Sequence, residues 1–245
     1  NLSRWRLDEM IKKSIAIILA RGGSKRLPRK NILDFKSKPL IAWTIEAALN
    51  SKIFDIVLVS TDDIEIAEIS RKYGAQVPFL RETAADDLTP SSFATYIALR
   101  QSEDFFDVQY YYVTQLMANC PLRTSEDIKN GFNAFEGSGA PSQISCFKFG
   151  WMNPWWAIKL NNNFQGEMIF PENSNKRSQD LPDLYCPTGA LWIANRDEFI
   201  KTKNFYMNKT RYQPLDWISA VDIDEYKDFL MAEMCFELRK RYQKI

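Results

Sequence analysis

The sequence contains no histidine. Imidazole is the one side chain whose ordinary pKa lies near neutrality, so His is excluded as general base, proton shuttle or metal ligand. Serine-triad hydrolysis and His-ligated zinc or iron chemistry are excluded with it. An enzyme built on this chain works with carboxylates, lysines, arginines or a hard metal ion. Charge excess is missing too. The 32 basic and 31 acidic side chains leave a net charge of +1, whereas a dedicated nucleic-acid binder carries a basic surplus. Cys120, Cys146, Cys186 and Cys235 are scattered without a CxxC pair, and read as reduced thiols instead of a disulfide framework. The opening NLSRWRLDEMIKK has no apolar h-region. The longest early apolar run, Ile15 to Ala20, falls far short of the ~20 residues a bilayer demands. The expectation is a cytoplasmic protein with neither nucleic-acid nor membrane partners.

What is present suits a globular enzyme. With 45% apolar and 26% charged residues there is material for a core. At about 150 residues per domain, the 245 residues suit one large α/β domain or one with an insertion. Ser14 to Ala20 is a continuous apolar run, as in a strand buried on both faces of a parallel sheet. A polar loop, Arg21 to Asn31, follows, and Pro39 then opens a helical stretch. Asp55 to Ser60 reads as a strand, with Asp62 and Glu65 as a capping arrangement for a helix over Ile64 to Tyr73. Thr89-Pro90 opens a helix to about Gln101, Gln109 to Thr114 is strand-like, and Thr124 to Asp127 starts a helix ending near Gly137. This alternation predicts a three-layer, Rossmann-like α/β fold with a mainly parallel sheet. From about 142 to 186 the rhythm breaks into Trp-, Asn- and Pro-rich sequence, read as an irregular β-rich arm. The pattern resumes at Gly189 to Ala194 and closes with a helix from about Glu225 to Arg241.

The loop after the first strand is the strongest local signal. It carries Gly22, Gly23, Arg21, Lys25, Arg26, Arg29 and Lys30, at the strand edge where open α/β sheets bind ligands. Cations with small residues for close backbone approach suit a polyphosphate, although neither a Walker A loop nor a GxGxxG fingerprint is present. Asp222-Ile223-Asp224 is the second signal. In extended backbone, residues i and i+2 share a face, so both carboxylates can meet one cation such as Mg²⁺. Equally, Asp224 can be the N-cap of the last helix. Arg81, before Ala85-Asp86-Asp87-Leu88-Thr89, falls at the same edge, where a surface arginine would look identical. Cys120-Pro121-Leu122-Arg123 also lies there. Trp151, Trp155 and Trp156 are a sugar platform or a subunit interface.

Taken together, LARGGSKRLPRKN, VSTDDIEIAEISRKYGAQVPFLR with DDLTPSS, CPLRTSEDI, PTGALWI and SAVDIDEYKDF resemble, in order, the motifs of the sialic acid (CMP-N-acylneuraminate) cytidylyltransferases. The likeness runs from about Ser14 to Glu233 and makes 14–245 one domain, with 1–13 an N-terminal extension. It implies a nucleotide-diphospho-sugar transferase-like fold and a homodimer, with 142–186 as the dimerisation arm. It implies that CTP and an acidic nine-carbon sugar give the CMP-sugar and pyrophosphate, the anomeric hydroxyl attacking the α-phosphorus. Arg21, Gly22, Ser24, Lys25, Lys30 and Asn31 would hold the nucleotide, with Arg21 and Lys25 also catalytic. Arg81 and Ser91 or Ser92 would read the cytosine. Asp222 and Asp224 would be catalytic and bind Mg²⁺ or Mn²⁺.

Departures from the family pattern gather on the sugar side, where Met117, Trp156 and Thr188 are expected. LMANCPLR places Met117 where the family has a glutamine, and CPTGALW puts Cys186 and Thr188 where an Arg and an Asn are usual. The expected substrate is therefore related to sialic acid but carries more apolar substituents. Two competing readings are a metal-dependent glycosyltransferase, whose DxD motif Asp222-Ile223-Asp224 formally matches, and a nucleotide-binding protein without catalysis.

Overall fold

The computed structural model describes residues 12–83 and 89–242; the N-terminal residues 1–11 of the expected extension lie outside the described residues. The first strand, β1 (Ser14–Leu19), is followed by a short hairpin, β2 (Asp34–Phe35) and β3 (Lys38–Pro39), then α1 (Leu40–Ser51), β4 (Ile56–Ser60), α2 (Ile64–Lys72) and α3 (Ser91–Phe106). Next come β5 (Tyr112–Met117), α4 (Ser125–Glu136), β6 (Ser142–Lys148), a small hairpin of β7 (Ile158–Leu160) and β8 (Gly166–Met168), β9 (Tyr185–Asn195), α5 (Arg196–Thr202), β10 (Arg211–Pro214) and α6 (Tyr226–Tyr242). The central sheet has the order β10-β6-β9-β5-β1-β4, with only β9 antiparallel to its neighbours. This is the expected α/β class with a mainly parallel sheet.

Alternate residues of β1 explain its unbroken apolarity. Ala16 and Ile18 face a core made with Ile41 and Ile45 of α1 and Ile128 and Phe132 of α4. Ile15 and Ile17 face the other layer, with Ala98 and Leu99 of α3 and with Phe199 and Phe205. A third cluster joins Phe35, Leu40 and Leu122 to Ile223 and to Ala232 and Cys235 of α6, with Phe229 and Phe236 against it. Ile223 is fully buried there.

Several boundaries differ from expectation for identifiable reasons. The third long strand runs over Tyr112–Met117 instead of Gln109–Thr114, because Ser14 pairs with Tyr112 and Leu19 with Met117. The preceding Tyr111 lies outside the β1 pairing, its N–H donating to Lys13 O at 2.7 Å. Asp63, not Asp62, caps α2 by accepting from Ile66 N at 3.0 Å. Asp62 is engaged by Gly22 N at 3.0 Å. The α4 cap is the expected box, with Thr124 and Asp127 bonding each other's backbone. Helix α3 continues to Phe106, where Asp107 turns left-handed at φ 50°. The first part of the expected arm, Ser142–Lys148, is a strand inside the central sheet; the irregular excursion is 149–184, between β6 and β9. Among the described residues no helix is long and apolar enough to cross a membrane.

Glu103 near the end of α3 locks the layers together. Its carboxylate receives Arg196 Nε at 2.8 Å and Nη2 at 2.9 Å, both side chains largely buried. Arg196 N donates to Tyr111 O at 3.0 Å. Removing one member of a buried pair strands the other charge. Glu103→Ala is expected to lower the unfolding free energy by about 3–5 kcal/mol, read as a fall in the urea midpoint. A cost near zero would mean that the pair does not hold the layers.

Candidate active site

Strands β4, β1 and β5 end level with one another, Leu19 being paired with both Ser60 and Met117. The chain leaves β1 toward β4 on one side and joins β5 on the other. The carboxyl ends of β1 and β5 therefore form a topological switch point, where a crevice opens. The loop after β1 occupies it.

This loop is shaped by acidic groups at the start of α2. Gly22 packs so closely that an added Cβ would lie 2.6 Å from Asp63 Oδ2, which leaves room for glycine alone. Arg29, left-handed at φ 56°, reaches back to Asp63 and Glu65 with the two ends of its guanidinium. Hydrogen bonding from Arg29 holds the Asp63 carboxyl below its ordinary value despite partial burial. Asn31 is buried and ties the loop to itself, Nδ2 donating to Arg21 O at 3.0 Å. Arg21, Gly22 and Ser24 are half-buried, and Lys25 is exposed along the crevice.

The distant aspartates close on the same loop. Lys30 Nζ donates to Asp224 Oδ1 at 2.9 Å and to Ile223 O at 2.7 Å. Arg26 Nη2 pairs with Asp224 Oδ2 at 2.6 Å. Asn119, in the loop after β5, donates through Nδ2 to Asp222 Oδ1, and the same nitrogen lies 3.5 Å from Asp224 Oδ1. The two carboxylates thus converge, as the i, i+2 spacing predicts. Asp224 does not act as a side-chain helix cap; its own N–H and that of Glu225 donate to Asp228 Oδ2 at 3.1 and 2.8 Å. Burial pushes Asp222 up to about 6, reinforced by the charge of Asp224. Burial acts on Asp224 in the same direction, but Lys30 and Arg26 outweigh it and hold that carboxyl below its usual value.

Asn119 Oδ1 is buried without a hydrogen-bond partner. It lies on the side of the carboxamide away from the aspartates, since Nδ2 is turned to them; the carboxylate pair by itself offers the oxygen donors that hard cations take. Among the described residues no group of three or more His, Cys, Asp or Glu converges, so a cation here would complete its shell with water and substrate oxygens.

Arg81 is buried beside Asp62 and Arg21, its N–H fixed on Thr61 O at 2.7 Å and its Nε without a partner. Desolvation lowers its pKa, against the pull of Asp62. The stretch 84–88, which includes Asp86 and Asp87, lies outside the described residues. At the head of α3, Ser91 is half-buried, while Ser92 is buried with its hydroxyl 3.5 Å from Asn204 Oδ1.

The sugar-side candidates are dispersed. Met117 lies at the end of β5 against Gly189, where an added Cβ would meet Met117 Cγ at 2.6 Å. Thr188 Oγ1 is taken up by Ala220 O at 3.3 Å and by Ala190 N at 3.2 Å, which ties β9 to the segment leading into Asp222. Trp156 is held within the excursion, its Nε1 donating to Asn173 O at 3.3 Å. An open apolar groove of about 1370 Å³ begins at Asp222 and is walled by Phe149, Trp151, Trp217, Met231 and Met234. Thus Trp151, not Trp156, lines the cavity nearest the aspartates. Sequence reasoning gave no site role to Asn119 or Asp63, and read Asp62 only as a helix cap.

Comparison with known proteins shows the family and the fold. A family profile described as Cytidylyltransferase matches residues 15–245. The chain is 34% identical over 227 residues to the pseudaminic acid cytidylyltransferase of Campylobacter jejuni serotype O:23/36, covering 92% of this chain and 97% of that one. It is 34% identical over 234 residues to the CMP-N,N'-diacetyllegionaminic acid synthase of Legionella pneumophila, again covering 92% and 97%. It is 32% identical to the N-acylneuraminate cytidylyltransferase of Escherichia coli O18:K1:H7, over 95% of this chain and 54% of that one. Among solved structures, CMP:2-keto-3-deoxy-manno-octonic acid synthetase complexed with CTP shares the fold at a TM-score of 0.68 and 15% identity, covering 93% of this chain and 99% of that one.

The Arg29–Asp63 contact yields a pH prediction. A carboxyl held below its ordinary 3.8 in the native state stabilises the fold above that value and loses the contribution as pH falls through the native pKa. The wild-type melting temperature should therefore drop more steeply below pH ~4 than that of Asp63→Asn, which starts lower at pH 7. Parallel curves would remove Asp63 from the loop's support.

Proposed function

Because the chain belongs to the cytidylyltransferase family and is a nucleotidyltransferase, we propose that it couples CTP to a nonulosonic acid other than N-acetylneuraminic acid, releasing pyrophosphate. The observation that carries the reading is the closure of the cationic loop after β1 onto Asp224 through Lys30 and Arg26, with Asn119 of the loop after β5 holding Asp222 beside it. A triphosphate donor and a divalent cation need those two elements side by side. The DxD glycosyltransferase reading has no counterpart for the basic loop.

In this reading Arg21, Gly22, Ser24, Lys25, Lys30 and Asn31 cradle the triphosphate, with Arg21 and Lys25 nearest the reacting phosphate. Arg81 and Ser91 face the base. Attack at the α-phosphorus requires charge to be neutralised on the phosphate and on departing pyrophosphate, which fixed cations in a partly dry crevice supply. Asp222 and Asp224 would hold Mg²⁺ or Mn²⁺, which when bound would screen the same phosphate charge. Asp222, buried and hydrogen-bonded by Asn119, stands at the mouth of the apolar groove. Its carboxylate takes the proton of the anomeric hydroxyl, the work a histidine would otherwise do.

Two observations support the sugar class. Relatives that act on pseudaminic and diacetyllegionaminic acids align over nearly their whole length. Met117 and the apolar groove suit a substrate with added acyl or deoxy groups. The exposed Ile158, Leu160 and Phe164 of the β7–β8 hairpin are the surface a homodimer would bury.

Pyrophosphate release from CTP is the test, run with pseudaminic, legionaminic and N-acetylneuraminic acids. One of the first two should be preferred; a wide preference for N-acetylneuraminic acid would refute the sugar assignment. Asp224→Asn should lower turnover about 10²-fold or more with little change in the circular dichroism spectrum. Wild-type turnover in that variant would remove the aspartate pair from the mechanism.

A further inference from the structure

Gln115 of β5 is completely buried, two residues before the strand end, and it faces the head of α3. Its carboxamide is engaged on both ends. Thr95 Oγ1 donates to Oε1 at 2.6 Å, and Nε2 lies 3.3 Å from Ser91 Oγ and 3.7 Å from Met117 Sδ. Thr95 is itself fully buried. A thioether has no proton to give, so the atom facing Met117 is the amide nitrogen, and the same nitrogen faces Ser91. Ser91 Oγ is therefore the acceptor in that contact. Its own proton and one lone pair are left over, on a half-buried side chain at the head of α3. Ser92, buried against Asn204, has no comparable access.

We propose that Gln115 is the positioning residue that sets nucleobase specificity, by holding the Ser91 hydroxyl as a hydrogen-bond donor toward the base. The inference rests on the CTP reading above. Cytosine offers an acceptor at N3, which pairs with that donor. Uracil carries a proton at N3 and can meet Ser91 only through the one lone pair that Gln115 leaves, with the Ser91 proton turned away, so uracil is disfavoured. A polar site that pairs one base correctly rejects its analogue because its own buried groups go unpaired. The buried Thr95–Gln115–Ser91 chain provides the selection, and it costs little because every Gln115 polar atom is engaged.

The experiment compares kcat/KM for CTP and UTP in pyrophosphate release, in wild type and in Gln115→Leu. Losing the amide donor frees the Ser91 hydroxyl to turn, so the CTP:UTP ratio should fall about tenfold or more. Thr95→Val, which removes the group that orients the amide, should lower the ratio in the same direction. In a Ser91→Ala background neither change should lower it further. An unchanged ratio, with both nucleotides slowed alike, would mean Gln115 only supports the fold and overturns the inference. Should Gln115→Leu fail to fold, the ratio in Thr95→Val decides by the same criterion. A wild-type enzyme that turns over no CTP with any nonulosonic acid refutes the parent reading. An active, CTP-selective enzyme whose variants keep the ratio refutes this inference alone.

Discussion

Ile223 is the residue on which the site depends. It is fully buried among Phe35, Leu40, Leu122 and Cys235, and extended backbone sends its two neighbours to the opposite side. Burying that side chain is worth about 1.5–3 kcal/mol, and the same act aims Asp222 and Asp224 at the loop after β1. The aromatic contacts of Phe35 with Trp43, Phe229 and Phe236 hold α6 and the β2–β3 hairpin around it. The acidic pair is thus placed by apolar packing, and its charge then organises the cations opposite.

Two aspartates of one motif end in opposite electrostatic states. Asp224 takes both Lys30 and Arg26 and is held ionised, whereas Asp222 is the more buried and is left with an amide donor. Environments that push paired carboxyls apart are how one fold divides roles between them. In a chain without histidine, burial and the charge of Asp224 lift the Asp222 carboxyl to about 6.

The nucleotide side and the sugar side differ in how they are built. On the nucleotide side, local rules account for much: Gly22 fits because Asp63 leaves no room for a Cβ, and the α2 cap doubles as the anchor for Arg29. On the sugar side, Thr188 spends its hydroxyl on Ala220 and Ala190, and Arg123, fully buried, spends Nη1 on Ala190 O at 2.7 Å. Desolvation lowers Arg123 to about 10, with two of its nitrogens unpartnered. Polar groups there brace strand ends instead of presenting themselves to the crevice. The apolar wall comes from Trp151 and one face of α6, segments with no shared period or motif to link them.

The sequence alone determined the elements with strong local chemistry. Apolar runs buried on both faces declared β1 and β4, the Thr124–Asp127 box declared α4, and the cationic loop with its late aspartate pair, among the other motifs, declared the family. Tertiary structure decided what depends on register and on distant contact. The true span of β5 follows from pairing Leu19 with Met117, which turned Gln115 into a buried arm reaching Ser91. The identity of the α2 cap was decided because Gly22 claims Asp62. Helix propensity and charge spacing act over a few residues, so they can be read along the chain. Asn119, Lys30 and Asp224 meet only because the sheet brings three loops to one edge, and no local interaction encodes that distance.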